Sequence, residues 1–214
     1  MPIVVTGLSH HSSPVEMRER FSFSNTQVAD ALSQVCQRGI ADEAVILSTC
    51  NRVEIYAATR ESNPVLGQAL EQFLCDFHGI APAPAHALYT HLEPQSVDHL
   101  FRVSCGIDSM VLGETEILGQ LKQAYRLAHA EKATAAQLNK TFQKAFNVAK
   151  LVRSETQIQR GSISVSSVAV ELAESIFDSL KSQQVLVIGA GDTSEKAARA
   201  LRSRGAQSIL VSNR

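Results

Sequence analysis

The sequence contains no tryptophan, and aromatic residues make up only 5% of its 214 positions. Large aromatic side chains carry much of the burial in an ordinary core, so this core must be assembled from small aliphatic residues. No apolar run approaches the ~18 residues that a membrane-spanning helix requires. The opening Met1-Pro2-Ile3-Val4-Val5-Thr6-Gly7 has neither a basic leader nor an apolar stretch long enough for a secretory signal. No Cys-x-x-Cys pair occurs, and Cys36, Cys50, Cys75 and Cys105 have no histidine at zinc-binding spacing. The expectation is therefore a cytoplasmic protein with free thiols and no metal, three of the four cysteines filling the core. Charge of one sign is also lacking: 20 Lys and Arg against 21 Asp and Glu leave a net charge of −1. That excludes a bulk attraction to nucleic acid but not a local basic surface. What is present is 44% apolar and 19% charged, with a mean hydropathy of −0.02. Such a chain buries a substantial core and is neither disordered nor of low complexity. At roughly 150 residues per domain its length suggests two parts.

The first ~90 residues alternate in character. Ile3–Thr6 reads as a short strand ending at Gly7. Thr26–Cys36 carries a helical stripe of Val28, Ala31, Leu32 and Val35 behind an N-cap at Ser24 or Asn25. Ala44–Ser48 and Val53–Ala57 read as strands, Leu66–Phe77 as a helix through Leu70, Phe73, Leu74 and Phe77, and Ala87–Thr90 as a last strand. This order predicts an α/β sandwich of ferredoxin-like kind. Helices follow: Ser96–Val103, stopped near Gly106; Ile117–Ala130; and a stripe of Leu138, Phe142, Ala145, Phe146, Ala149 and Val152. Over Leu138–Arg160 five basic side chains stand against Glu155 alone, a local net charge of +4. This is either a solvated helix face or a contact for a polyanion.

A helix over Ser164–Leu180 leads into a second unit. The apolar strand Gln184–Ile188 runs into Gly189-Ala190-Gly191, then an Ala-rich helix, then a strand over Ser208–Val211. That β-α-β order is the opening of a dinucleotide-binding (Rossmann) fold. Gly189 suits the tight strand-to-helix turn, and Gly191 lets the backbone approach a pyrophosphate at the helix N-terminus. The third glycine of the fingerprint is replaced by Ser194. The cofactor-binding set is thus Gly189, Ala190, Gly191, Asp192, Thr193 and Ser194. No acid stands at the end of the second strand for a ribose 2′-hydroxyl. Ser212-Asn213-Arg214 offers a guanidinium instead, which favours a 2′-phosphate and hence NADPH.

Between the second and third strands lies Ser48-Thr49-Cys50-Asn51-Arg52-Val53-Glu54. It places a thiol on a loop, where reactive groups are presented. If the backbone stays extended, Cys50, Arg52 and Glu54 share one face at period two. A cation beside a thiol favours the thiolate and can hold an anionic substrate. A thiol together with a reduced nicotinamide suits acyl reduction.

With these residues in view, the chain closely resembles the N-terminal half of the bacterial glutamyl-tRNA reductases. The likeness rests on Gly7–Pro14, Ser48–Glu54, Gly106–Glu114, Ile117–Gln120 and Gly189–Gly191. The resemblance implies NADPH-dependent reduction of glutamyl-tRNA to glutamate-1-semialdehyde, the first step of the five-carbon route to tetrapyrroles. It implies Cys50 as the nucleophile that forms a thioester. Thr49, Asn51, Arg52, Ser109, Glu114, Thr115, Glu116 and Gln120 would line the glutamyl pocket, Arg52 anchoring a carboxylate. Members commonly carry Pro-Gln where this chain has Thr115-Glu116. His99 would orient or protonate the leaving ribose oxygen; by its neighbours Val97, Leu100, Phe101 and Val103 alone it reads as a core-edge histidine. His10 and His11 would shape the pocket floor.

The resemblance further implies a homodimer built through a C-terminal domain beyond this sequence, and hand-over of the aldehyde to an aminotransferase. It divides the chain into a catalytic domain, 1–156, and a connecting helix with the start of the NADPH domain, 157–214. The chain thereby reads as a fragment of the longer family members. Two other readings stay open: another NADP oxidoreductase related to shikimate dehydrogenase, and a non-catalytic fragment that binds tRNA or a regulator.

Overall fold

The computed structural model describes residues 2–60, 65–81, 86–159 and 164–213. The chain divides into two compact units: Met1–Met110 with Glu116–Gln157, and Val111–Thr115 with Ile158–Arg214. The first unit runs β1 (Ile3–Ser9), α1 (Val15–Arg20), α2 (Asn25–Gln37), β2 (Glu43–Ser48), β3 (Arg52–Ala58), α3 (Leu66–Phe77) and β4 (Tyr89–Leu92). Three helices follow, α4 (Gln95–Cys105), α5 (Glu116–Ala130) and α6 (Ala136–Glu155). The sheet order is β2-β3-β1-β4 and every pair is antiparallel. With α2 between β1 and β2, and α3 between β3 and β4, this is the expected ferredoxin-like split β-α-β arrangement with helices appended.

Every residue of β1 and β3 is buried, and all of β2 but its last. An antiparallel sheet with one wet face would alternate, so here helices cover both faces. Arg52, Glu54 and Tyr56 share the face that meets α4 and α6. His99 of α4 bonds Glu54, and Tyr56 sits edge-on to Phe142 of α6 at 5.5 Å. Val53, Ile55 and Ala57 point to the opposite face by the period-two alternation of a strand.

Local chemistry accounts for the helix boundaries. Ser24, not Asn25, caps α2: its hydroxyl accepts from Gln27 N–H at 3.3 Å while Gln27 Oε1 accepts from Ser24 N–H at 2.9 Å. The stripe Val28, Ala31, Leu32, Val35 is the buried one. Helix α4 stops at Gly106 in the left-handed region, φ 75°. The buried Glu43 in β2 caps α6 from a distance, its carboxylate accepting from Ala135, Gln137 and Leu138 N–H at 2.8–3.1 Å. One expectation shifts. The last strand lies at Tyr89–Leu92 rather than 87–90, because pairing with β1 (Val4 opposite Leu92, Gly7 opposite Tyr89) sets its bounds. Helix α1, a stretch for which the sequence analysis names no element, begins directly after Pro14.

In the second unit, helix α7 (Val165–Phe177) is followed by β5 (Gln184–Ile188), α8 (Asp192–Ser203) and β6 (Ser208–Ser212), with β5 and β6 parallel. Val170, Leu180, Leu201 and Ala206 form its buried cluster. This is the β-α-β opening that the glycine motif predicts. Among the described residues no helix is long and apolar enough to cross a membrane.

Candidate active site

The turn between β2 and β3 is pinned from several sides. Thr49 N–H donates to the Arg52 carbonyl at 2.8 Å, and Thr49 Oγ1 accepts from Asn51 and Arg52 N–H at 3.2 and 3.1 Å. The buried Arg18 of α1 donates through Nε to the Cys50 carbonyl at 3.1 Å and through Nη1 to the Ser13 carbonyl at 2.5 Å. His10 N–H donates to the Asn51 carbonyl at 2.9 Å. The result is a fixed loop with Cys50 exposed at its tip. The expectation that Cys50, Arg52 and Glu54 share one extended face is corrected. The strand begins only at Arg52, and Cys50 sits in the bend ahead of it. Arg52 and Glu54 do share a face.

Glu54, with no exposed surface, is the hub of that face. Its carboxylate accepts from Arg52 Nη1 at 2.7 Å, Tyr56 Oη at 2.6 Å and Tyr89 Oη at 2.5 Å, and bonds His99 Nε2 at 2.8 Å. Burial disfavours its charged form, but the Arg52 guanidinium and the bonds from His99 and Tyr56 outweigh that and hold the carboxyl well below its usual range. Burial and then the Glu54 charge push the Tyr56 and Tyr89 hydroxyls far up, so both remain donors. Four elements converge here: β3 supplies Arg52, Glu54 and Tyr56, β4 supplies Tyr89, α4 supplies His99, and the segment after α4 supplies Asp108.

Arg52 itself is 1% exposed. Burial opposes its charge, but Glu54 more than restores it, and its proton is held more tightly than usual. Its second nitrogen donates to Asp108 Oδ2 at 2.9 Å and to the Asp108 carbonyl. The guanidinium is thus shared between two protein carboxylates, Glu54 with no exposed surface and Asp108 partly exposed. His11 Nε2 lies 3.7 Å from the other Asp108 oxygen, and the His10 and His11 rings are 3.9 Å apart. Next to Asp108, Ser109 Oγ is buried with no hydrogen-bond partner among the described residues.

His99 is not a mere core-edge residue. With Nε2 committed to Glu54, only Nδ1 is left for another partner, and its ring lies 5.7 Å from that of Tyr89 and 5.1 Å from that of His91. Gln120 lines a cleft of about 90 Å³ together with Ser48, two residues ahead of Cys50. Glu116 opens α5. Glu114 and Thr115 belong to the segment that clusters with the second unit. Sequence reasoning missed Arg18, Tyr56, Tyr89 and Asp108. The signal for a hub was a carboxylate at Glu54 in the middle of an apolar strand, a position that demands partners. Of the other thiols, Cys75 and Cys105 are buried and Cys36 is half-buried, and burial pushes all three up.

In the second unit Gly189 has φ 104°, the left-handed region that only glycine enters freely. Gly191 precedes the first turn of α8, and a Cβ built on it would meet nothing within 4 Å. The space above these backbone donors is open, which fits the approach of a pyrophosphate. Gly189, Ala190, Gly191, Asp192, Thr193 and Ser194 are therefore contiguous on the strand-to-helix turn, with Ser194 Oγ 3.5 Å from a Cβ built at Gly189. Arg214 lies outside the described residues.

A family model described as the N-terminal domain of glutamyl-tRNAGlu reductase matches residues 6–156, and one described as shikimate / quinate 5-dehydrogenase matches residues 171–214. A protein of Pseudoalteromonas translucida named glutamyl-tRNA reductase is 43% identical over 215 aligned residues, covering all of this chain and 51% of its own length. One of the same name from Akkermansia muciniphila is 46% identical over 214 residues, all of this chain and 63% of its own length. The solved glutamyl-tRNA reductase from Methanopyrus kandleri matches at a TM-score of 0.66 and 34% identity, over 99% of this chain and 49% of that one. The chain spans about half the length of the curated relatives it matches.

Proposed function

The chain belongs to the glutamyl-tRNA reductase family, and on that premise we propose that Cys50 accepts the glutamyl group of glutamyl-tRNA as a thioester that is then reduced. The observation that carries this reading is the pinned loop of Cys50, an exposed thiol two residues from a buried guanidinium that is itself braced by Glu54. The thiolate sulfur attacks the α-carbonyl carbon of the glutamyl ester. A carbon–sulfur bond forms, the carbon–oxygen bond to the terminal ribose breaks, and the ribose oxygen leaves with a proton. A thioester carbonyl is less resonance-stabilised than an oxygen ester and stays electrophilic. NADPH, when bound, supplies the hydride for the carbonyl carbon. Rupture of the carbon–sulfur bond then releases glutamate-1-semialdehyde and restores the thiolate.

In this reading Arg52 takes the glutamyl carboxylate in place of Asp108. Ser109 Oγ supplies a hydrogen bond, and Thr49, Asn51, Glu116 and Gln120 complete the pocket. His99 acts at the leaving oxygen through Nδ1, since Glu54 holds its other nitrogen. Gly189–Ser194 hold the cofactor pyrophosphate, the residues present fitting it as described above. The reaction is the first step of tetrapyrrole synthesis in the cytoplasm, its aldehyde passing to an aminotransferase. The test is mass spectrometry of the protein after incubation with glutamyl-tRNA. A glutamyl adduct on the Cys50 peptide is expected; an adduct elsewhere, or none, overturns the reading.

A further inference from the structure

The whole chain carries a net charge of −1, yet residues 117–154 hold seven Lys and Arg against Glu131 alone. The fold turns that bias into a shape. Helices α5 and α6 pack antiparallel: Leu118 meets Ala149 in one cluster, while Tyr125 stacks on Phe142 at 5.6 Å and donates to Asn139 Oδ1 at 3.0 Å. Between them runs a groove of about 530 Å³ lined by Lys122, Arg126, Lys150 and Arg153, with no carboxylate among its walls. Tyr125 and Phe146 line it as well, and the Lys122 ammonium sits 5.8 Å from the Phe146 ring centre. Lys122, Arg126 and Lys150 make no ion pair among the described residues.

We infer that this groove is the docking surface for the sugar–phosphate backbone of an RNA, the acceptor arm of the charged tRNA. The inference rests on the thioester reading for the identity of the RNA. Lys122, Arg126 and Lys150, in a wall that contains no carboxylate, make a strip of positive potential for successive phosphates. The amides of Gln143 and Asn147 in its wall suit ribose hydroxyls. Position supports the assignment. Gln120, two residues after the groove residue Leu118, shares a cleft with Ser48 at the foot of the Cys50 loop. The Leu118–Arg153 end of the groove thus lies at the thiol end of α5, and Arg126 with Gln143 at the far end. An arm laid along the groove thus has one end at the end of α5 nearer the Cys50 loop, across that helix from the cleft of Gln120 and Ser48.

Uncharged tRNA tests the groove without any chemistry at Cys50, so failure here and failure of the thioester reading are separable. Equilibrium binding is measured at several salt concentrations for the wild type, for Lys122→Gln/Arg126→Gln/Lys150→Gln, and for Lys144→Gln on α6 outside the groove. The triple variant should bind more weakly and flatten the slope of log affinity against log salt by about 1 per cation removed, while Lys144→Gln changes neither. In parallel, amine acetylation of the wild type is followed by mass spectrometry, a measurement that needs no variant to fold. Saturating tRNA should protect Lys122 and Lys150 but not Lys144. Unchanged affinity and slope in a folded triple variant overturn the inference. So does equal acetylation with and without tRNA, or protection by polyglutamate but not by tRNA.

Discussion

Gly7 of β1 lies directly opposite Glu54 of β3, and a Cβ at Gly7 would come within 2.1 Å of the Val53 carbonyl oxygen and 2.8 Å of Glu54 Cα. The strands approach this closely at the residue that gathers Arg52, Tyr56, Tyr89 and His99. Gly7→Ala should therefore force the strands apart and cost about 1–3 kcal/mol, the range for overpacking a core. Chemical denaturation measures it, and an unchanged midpoint would show that the strands yield freely.

Glu54→Gln keeps the shape but removes the fully buried one of the two carboxylates that balance the Arg52 guanidinium, leaving Asp108. Removing one member of a buried pair costs about 3–5 kcal/mol, and denaturation of the variant should fall in that range. A loss within error of zero would mean that Asp108 alone balances Arg52.

The same carboxylate sets an acid limit. Its folded pKa is depressed, with burial opposing and Arg52 and the hydrogen bonds prevailing. Its contribution is complete above the unfolded carboxylate range, near 4.3, and is lost progressively as pH falls below that toward the folded value. Stability of the wild type should drop through this window, and Glu54→Gln should show a shallower dependence. Parallel curves for the two proteins would remove Glu54 from the acid response.

Arg52 donates in two directions at once, to Glu54 and to Asp108. Arg52→Lys retains the charge but not the fork. Loss of one charged hydrogen bond, about 1.5–3 kcal/mol, is roughly ten- to hundredfold in affinity. The rate of Cys50 acylation at low glutamyl-tRNA should fall by that factor, and wild-type behaviour would separate Arg52 from the substrate carboxylate.

Thiol labelling ranks the cysteines by access and burial. Iodoacetamide should modify the exposed Cys50 first, ahead of Cys36, Cys75 and Cys105, whose thiols burial pushes up. Cys50→Ser should abolish glutamyl adduct formation, while serine at each of the other three should leave it in place. Adduct formation in Cys50→Ser sinks the nucleophile assignment.

The elements of this fold are written locally. Ser24 with Gln27 starts α2, Gly106 ends α4, and the stripes at Val28–Val35 and Leu138–Ala149 mark the buried faces, because caps and periodicity involve residues within one or two turns. The strand-to-helix turn at Gly189–Ser194 was legible for the same reason. So was Cys50, through the motif Ser48–Glu54. Less local features slipped: β4 moved by two residues because its bounds come from pairing with β1, and α1 was missed because six residues carry too little periodicity.

Short-range patterns in the sequence alone set the order of the other elements, the ferredoxin-like class, the dinucleotide turn and the loop that carries the thiol. Only the tertiary structure decided that Glu54 is the hub, that Asp108 occupies Arg52, that Arg18 holds the Cys50 loop, and that the basic residues of α5 and α6 line one groove. Apart from the bonds of Glu54 to its strand neighbours Arg52 and Tyr56, those contacts join residues from about 20 to more than 50 positions apart. Hydrogen bonds and ion pairs act over a few ångströms of space, and nothing in the local pattern of either partner encodes which distant residue the folded chain brings within that reach.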